Sequence, residues 1–148
     1  MLASLRFAAI VLTALSLVPG GAHLFAMPNK LPMPADDYFA AQQVYRGWAL
    51  FAIPLFGAIA ANLALGTALW RRDGRAWPAF AAAALILATL AIFFTWTFPA
   101  NQATENWTAM PENWETLRRQ WEYSHAVNAV LMFAALCLVT GEAAGRGR

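Results

Sequence analysis

The chain has 148 residues, of which 60% are hydrophobic and 12% are charged. Soluble domains carry about 25% charged residues, so the composition excludes an ordinary water-soluble domain. The formal net charge is +2, and the 10 basic residues are too few and too dispersed to form a nucleic-acid-binding surface. Cys137 is the single cysteine, which excludes an intrachain disulfide and the redox chemistry of paired cysteines.

Four stretches of the chain lack Asp, Glu, Lys and Arg: residues 7–29, 47–70, 76–104 and 123–141. Each is long enough, or nearly so, to cross a hydrocarbon core that needs about 20 helical residues. The sequence therefore predicts an all-α protein, a four-transmembrane-helix antiparallel bundle embedded in a lipid bilayer. One domain covers residues 1–148, with helices at approximately 3–26, 37–70, 77–98 and 112–140.

The charges are divided between the two sides of this predicted bundle. One side carries arginines only, apart from Asp73 and Glu142, whereas acidic residues outnumber basic ones on the other. By the positive-inside rule, we expect both termini in the cytoplasm, two longer loops facing outward, and an inner or plasma membrane. The arginines on the predicted cytoplasmic side are Arg6, Arg71, Arg72, Arg75, Arg146 and Arg148.

The first apolar stretch has two interpretations. One arginine, a short apolar run and small residues are also the features of a signal peptide. No convincing small-x-small cleavage site follows Phe25, which favours a retained helix, kinked or loosened at Pro19-Gly20-Gly21. His23 then lies within the outer end of the first helix.

The second helix follows a loop that we expect from Met27 to Ala35, because its three prolines forbid regular helix. Asp36 or Asp37 can cap the helix, which is predicted to continue past Arg46 into the membrane. Pro54 is predicted to bend it. The third helix is rich in alanine, which allows close helix contacts, and the fourth ends near Gly141.

The strongest functional pattern lies where the fourth helix enters the membrane. Arg118, Glu122, His125 and Asn128 are three or four residues apart and therefore share one helix face. Ionisable groups at membrane depth are energetically costly and usually face a protein interior or a cavity. This stripe predicts one wall of an outward-facing polar pocket.

A metal site is one interpretation of the stripe. Glu122 and His125 have the Glu-x-x-His spacing that helical bundles use to present a carboxylate and an imidazole to one ion. With His23, which the topology brings to the same side, they form a set suited to iron, copper or zinc. Haem held by His23 and His125 is a second option, although bulky flanking residues argue against it. In the alternative without metal, Glu122 pairs with Arg118 or Arg46, and the histidines hydrogen-bond across helices.

A site for a phenolic or quinone-like molecule is another interpretation. The stripe would face Tyr45 and Arg46 of the second helix, and Arg46 and Arg118 would stabilise an oxyanion. His125 or Glu122 would transfer a proton. The alternative for the aromatic residues is an interfacial belt, and for Asn128 an interhelical hydrogen bond. The side chains predicted to hold the ring are Trp96, Trp114 and Trp121.

Four segments of the chain resemble the anthrone-oxygenase-like family of small four-helix membrane proteins: GAHLFAMPNKL, YFAAQQVYRGWA, TFPANQATENW and NWETLRRQWEYSHAVN. In that family a P-x-N element precedes a W-x-x-L-R-x-x-W-x-x-x-H run that enters the last helix. The resemblance implies a membrane oxygenase or oxidoreductase that converts anthrones to anthraquinones. It also implies that the functional residues are Asn101, Arg118, Trp121 and His125.

Two classes of function follow from the sequence. The leading hypothesis is a membrane oxidoreductase that acts on an aromatic small molecule, with catalysis by His125, Glu122, Arg118 and Asn101. The alternative is a non-catalytic accessory subunit whose partners are other proteins of a respiratory or photosynthetic complex. The alanine-rich third helix and the lack of soluble mass fit the alternative equally well. A transporter or channel would require oligomerisation of so small a bundle.

Overall fold

A computed structural model describes residues 1–145 of the chain, apart from the side chain of Asp73. The described residues form helices and turns, without strands, which confirms the all-α class. Within them, four helical stretches are long and apolar enough to cross a membrane. They are Leu2–Lys30, Trp48–Arg72, Trp77–Ala103 and Trp114–Gly145. The predicted basic tail at Arg146 and Arg148 lies outside the described residues.

Helix α1, Leu2–Lys30, continues through both Pro19 and Pro28. The prediction that a loop begins at Met27 is therefore wrong. A proline removes only one backbone donor, and the next turn still closes, because the Leu31 N–H donates to the Met27 carbonyl at 3.0 Å. The additional turn has a large consequence, since it carries Lys30 into the protein interior, where only 3% of the residue is exposed.

The predicted helix over residues 37–70 is divided in the structure. Helix α2, Ala35–Gln42, is followed by 3₁₀ turns at Gln43–Tyr45 and Trp48–Phe51, and helix α3 is Ala52–Asp73. Between the two turns, Gly47 adopts the left-handed conformation with φ 89°, which glycine enters without steric cost. The chain changes direction there, and Pro54 falls in the first turn of α3, where proline is tolerated.

Helix α4, Trp77–Ile92, passes into a wider π-helical turn at Phe93–Thr97 and then into α5, Phe98–Ala103. Pro99 has no N–H, so it cannot close a regular turn on the preceding residues, and a π-helical turn absorbs the mismatch. After a tight loop, α6 covers Trp114–Gly145. It begins near the predicted residue and extends about one turn beyond the predicted end at 140.

The long helices pack as a four-helix bundle in which α1 and α4 each lie against both α3 and α6. Small residues allow close packing; a Cβ on Gly20 would lie 3.2 Å from the Ala129 Cα. We call the end where α1 finishes and α6 begins the capped end, because residues 31–51 and 98–113 cover it. The opposite end, where α1 begins and α6 finishes, is the far end. Alanines also dominate the two apolar clusters of the bundle interior, which include Ala9, Ala79, Ala58, Ala82 and Ala135.

Candidate functional site

A buried ion pair connects α1 to α6 at the capped end. The Lys30 Nζ lies 2.6 Å from the Glu122 Oε1, and the two side chains are 4% and 0% exposed. The Tyr38 hydroxyl donates to the same carboxylate oxygen at 2.9 Å, and the Gln42 amide donates to the Tyr38 oxygen at 2.6 Å. These four side chains form one polar network inside an otherwise apolar protein.

Aromatic rings surround the ammonium group of this network. The Lys30 Nζ lies 4.7 Å from the Tyr45 ring centroid, 4.8 Å from that of Trp121 and 5.6 Å from that of Tyr38. The negative faces of aromatic rings attract a cation and partly replace its lost hydration. Together with the Glu122 carboxylate, they favour the charged form of the lysine and oppose the cost of its burial.

The two histidines of the chain lie side by side, and between them they contact the same Tyr45 and Trp121 rings that the Lys30 ammonium contacts. Their ring centroids are 4.3 Å apart, and the Trp121 ring contacts both, at 4.6 Å from His23 and 4.2 Å from His125. Tyr45 closes another side of His23 at 4.2 Å. The His23 Nδ1 is buried and has no hydrogen-bond partner among residues 1–145. The predicted approach of His23 and His125 is therefore present.

Asn101 fixes the tryptophans of this cluster. Its side-chain oxygen accepts one bond from the Trp121 indole N–H at 2.8 Å and another from the Trp107 indole N–H at 3.2 Å. The loop that follows α5 makes this geometry available, because the three residues 105–107 all have positive φ angles. Left-handed backbone is strained for side chains other than glycine. Thr104 supports it by accepting the Trp107 N–H with its hydroxyl at 3.1 Å.

Arg118 lies on the same face of α6 but serves another part of the capped end. Its Nη1 donates to the Met33 carbonyl at 2.8 Å, which ties the segment after α1 to α6. The guanidinium group also lies 4.5 Å from the Trp114 ring centroid and 5.3 Å from that of Tyr38. The Arg118 Nε is buried without a partner in the described part of the chain. In the alternative without metal, Arg118 was predicted to pair with Glu122; the structure shows no such pair.

Three of the predicted substrate-binding residues are elsewhere. Arg46 is exposed and donates to the Gln43 side chain at 2.7 Å, so it is not a partner of Glu122. The break at Gly47 explains this, because the predicted continuous helix would have kept Arg46 on the inner face. Asn128 lies about one turn below His125 on α6, and its side-chain oxygen is buried without a partner among the described residues. Trp96 is 48% exposed and lies on the other side of α6.

Trp96 lines a surface groove of about 530 Å³ between the π-helical turn and α6. The Trp96 carbonyl accepts a hydrogen bond from the Gln120 side chain at 2.8 Å. Buried hydroxyls of Thr97 and Ser124 lie 2.7 Å apart beside it. The groove therefore combines aromatic and aliphatic walls with a few polar groups. Its lining residues are Ile92, Trp96, Gln120, Tyr123, Ser124 and Val127.

The phenols of the capped end are held in the neutral form. Burial, followed by the nearby Glu122 carboxylate, raises the pKa of Tyr38 far above its ordinary value. The same two causes raise the pKa of Tyr45. Tyr38 is therefore a hydrogen-bond donor toward Glu122 at neutral pH and not a base.

A metal ion would need the carboxylate that this network already uses. The Glu122 Oε1 contacts the Lys30 ammonium, a cation that competes with any metal ion for this carboxylate. Within the described residues, no group of three His, Cys, Asp or Glu side chains is placed to hold one ion. The transition metal and the haem both stay predictions.

Sequence reasoning missed Lys30, Tyr38 and Gln42. Lys30 follows His23 by seven residues, or about two helical turns, so both share a face if the helix continues through Pro28. Tyr38 and Gln42 are four residues apart and therefore share one helix face, but this spacing does not identify Glu122 as their partner. The heptad spacing from His23 was the signal that could have identified Lys30.

Comparison of the chain with protein-family models, with curated protein sequences and with solved structures found no match. The resemblance to anthrone oxygenases therefore stays a prediction. The side chains of the capped end carry the functional argument.

Proposed function

We propose that this protein is an integral membrane oxidoreductase of the oxygenase type that acts on a phenolic or quinone-like small molecule at the capped end. The bundle is antiparallel, with both termini in the cytoplasm and the capped end facing outward. The arginines of the far end, Arg6, Arg71 and Arg72, support this orientation through the positive-inside rule.

The observation that carries the proposal is the juxtaposition of a buried cation with two imidazoles inside an aromatic enclosure. An ammonium group has three donors, and Glu122 is the acceptor that Lys30 contacts within the described part of the chain. The remaining donors can stabilise an oxyanion of a phenolic ring. Trp121 offers an aromatic face between Lys30 and His125. In a site shielded from water, such charge stabilisation is stronger than in solution.

The proposed reaction begins with deprotonation of the substrate. A ring nitrogen of His125 accepts a proton from the acidic carbon or hydroxyl of an anthrone-like molecule, and Lys30 stabilises the resulting anion. The anion carbon donates electrons to molecular oxygen and forms a hydroperoxide after protonation. Loss of water then leaves a carbonyl. In total the CH₂ group loses two hydrogens and gains one oxygen atom, while the second oxygen atom leaves as water.

The groove at Trp96 offers a route for such a substrate from the bilayer. A hydrophobic aromatic molecule partitions into lipid, and the groove is open on the surface of α6, with Gln120 and Ser124 next in sequence to Trp121 and His125. Trp96 and Tyr123 provide aromatic contacts, and the Gln120 amide provides a polar one. In this proposal Trp96 still contacts the substrate, as predicted, but it does so in the groove. Asn101 orients Trp121 through the indole N–H and acts as a positioning residue.

The test measures oxygen consumption and anthraquinone formation from anthrone by the purified protein in nanodiscs, against empty nanodiscs. His125→Ala and Lys30→Met are expected to lower turnover by about 100-fold or more, the usual contribution of a general base or an oxyanion stabiliser. Arg119→Gln is the matched control, since Arg119 is exposed on the same helix and its nearest ion-pair partner is Glu115. Turnover that stays at the wild-type level in both site variants would overturn the proposal.

Two further measurements separate the alternatives. Metal content is measured in the wild type, His125→Ala and Glu122→Gln; one equivalent of iron, copper or zinc that disappears in both variants would establish the metal-dependent form. Purification in mild detergent tests the accessory-subunit alternative. Stable co-migration with other subunits, together with normal activity of that complex in His125→Ala, would favour it over an enzyme.

A further inference from the structure

A second groove lies at the far end of the bundle, on the opposite side of the membrane from the candidate site. It has a volume of about 540 Å³ and separates the beginning of α1 from the end of α3. Its walls are apolar in the membrane and basic at its mouth. The residues that carry the argument are Leu2, Leu5, Ala64, Ala68, Arg71 and Arg72.

The apolar part of the groove, here called the channel, runs along α3. Ala64 and Ala68 are four residues apart, so their small side chains lie one above the other on the same helix face. Leu2 and Leu5 of α1 form the facing wall. The hydroxyl of Thr67, which also borders the groove, donates to the Leu63 carbonyl at 2.8 Å and thus presents no unsatisfied polar group. A linear hydrocarbon chain fits such a channel.

The mouth of the groove is positively charged. Arg71 and Arg72 are exposed, and neither forms an ion pair with a described side chain. They stand at the level of two exposed tryptophans, Trp70 and Trp77, which are 66% and 68% exposed. Tryptophans in this setting mark the headgroup region of a bilayer. The two guanidinium groups therefore lie where lipid phosphates are found.

We propose that this groove binds one anionic phospholipid. An acyl chain lies against Ala64 and Ala68, and the phosphate and its headgroup are held by Arg71 and Arg72. Guanidinium groups bind phosphate in a bidentate manner and keep their charge at the membrane surface. Basic pockets between transmembrane helices are the general form of anionic headgroup sites. The proposal is independent of the oxygenase function, because it concerns the other end of the bundle.

The chemistry of the groove distinguishes a lipid from other occupants. Free phosphate would engage the arginines and leave the apolar channel empty. A zwitterionic phospholipid would fill the channel and bring its own cation beside Arg71 and Arg72, which removes the electrostatic gain. Of these three occupants, the anionic phospholipid is the one that uses both parts of the site.

The experiment compares phosphatidylglycerol with phosphatidylcholine bound to delipidated protein in detergent, by native mass spectrometry and by thermal stability. We expect the wild type to retain phosphatidylglycerol about tenfold more strongly, since two surface arginines contribute at least that factor. R71Q/R72Q should lose this preference. The control R46Q/R119Q removes two exposed charges at the capped end and should keep it. Ala68→Leu fills the channel and should weaken both lipids equally.

Three results would overturn the proposal. Equal retention of the two lipids by the wild type would mean that the groove does not select charge. Loss of selectivity in R46Q/R119Q as large as in R71Q/R72Q would mean that net charge, and not this site, attracts the lipid. Stabilisation by inorganic phosphate to the same extent as by phosphatidylglycerol would mean that the apolar channel contributes nothing.

Discussion

Two ion pairs connect the same two helices, one at each end of the bundle, and they differ in how completely they are satisfied. At the far end, the Arg6 Nε donates to the Glu142 Oε2 and the Arg6 Nη2 donates to the Glu142 Oε1, each at 3.0 Å. The Arg6 side chain is 21% exposed. At the capped end, one oxygen of Glu122 receives both Lys30 and Tyr38, and the second oxygen is buried without a partner among the described residues.

The two pairs therefore differ in what they cost the folded protein. A bidentate arginine–carboxylate pair whose arginine water can still reach holds two helices together at a low desolvation cost. A fully buried lysine with unused donors, beside an unpartnered carboxylate oxygen, is costly unless another molecule completes it. We infer that Arg6 and Glu142 fix the register of α1 against α6, and that Lys30 and Glu122 are available to bind a ligand.

The largest expected effect comes from removing one member of the capped-end pair. Glu122→Ala should lower the free energy of unfolding by about 3–5 kcal/mol, because it leaves the Lys30 ammonium buried without a counter-charge. The double variant Lys30→Met/Glu122→Leu removes both charges at similar volume and should recover most of that loss. Reversible unfolding in detergent measures both.

The same double variant separates stability from function. It should fold and still lack the proposed oxygenase activity. A double variant as unstable as Glu122→Ala would show that the pair itself contributes to stability. A double variant with full activity would remove Lys30 and Glu122 from the mechanism.

A smaller effect is expected at the far end. Arg6→Met should lower the free energy of unfolding by about 1–2 kcal/mol, less than at the capped end, because water reaches the Arg6 side chain. Turnover of anthrone should not change. A cycle with Glu142→Leu measures the coupling between the two side chains. If Arg6→Met is as destabilising as Glu122→Ala, the contrast between the two ends fails.

The smallest effect at neutral pH concerns Tyr38. Tyr38→Phe removes the hydrogen bond to Glu122 and the oxygen that accepts the Gln42 amide, and should lower the free energy of unfolding by about 1 kcal/mol. The pH dependence is more informative. Because burial and Glu122 raise the pKa of Tyr38 in the folded protein, its contribution is complete below about pH 10 and is lost as the pH rises above that value.

Phenolate absorbance during a pH titration checks this directly. Tyr38 should remain protonated in the folded wild type beyond pH 10, and the loss of stability above that pH should be smaller in Tyr38→Phe. Tyr123→Phe, which removes a phenol that is 54% exposed, is the matched control and should leave the stability at neutral pH unchanged. Ionisation of all the tyrosines near pH 10 in the folded protein would contradict the buried network.

Local sequence signals were sufficient to predict which α6 residues face the candidate site. They were insufficient to predict which residues of the other elements lie opposite α6. Glu122 and His125 could be placed on one inner face because helical spacing alone fixes it. The predicted position of Arg46 was wrong because the left-handed conformation of Gly47 ends the helix direction assumed for residues 37–70. Hydrophobic periodicity cannot predict the φ angle of one residue. Trp96 was predicted to hold the substrate ring together with Trp121, and the π-helical turn placed it in a separate groove.

The sequence by itself determined that this is an all-α membrane protein and that the polar groups of α6 collect near one end. The reason is that hydrophobic length and helical periodicity are local properties of the chain. Only the tertiary structure decided that Lys30 is the partner of Glu122 and that Asn101 binds two indoles. Those contacts depend on one extra turn of α1 past Pro28 and on a strained loop at residues 105–107, which packing selects and local propensity disfavours.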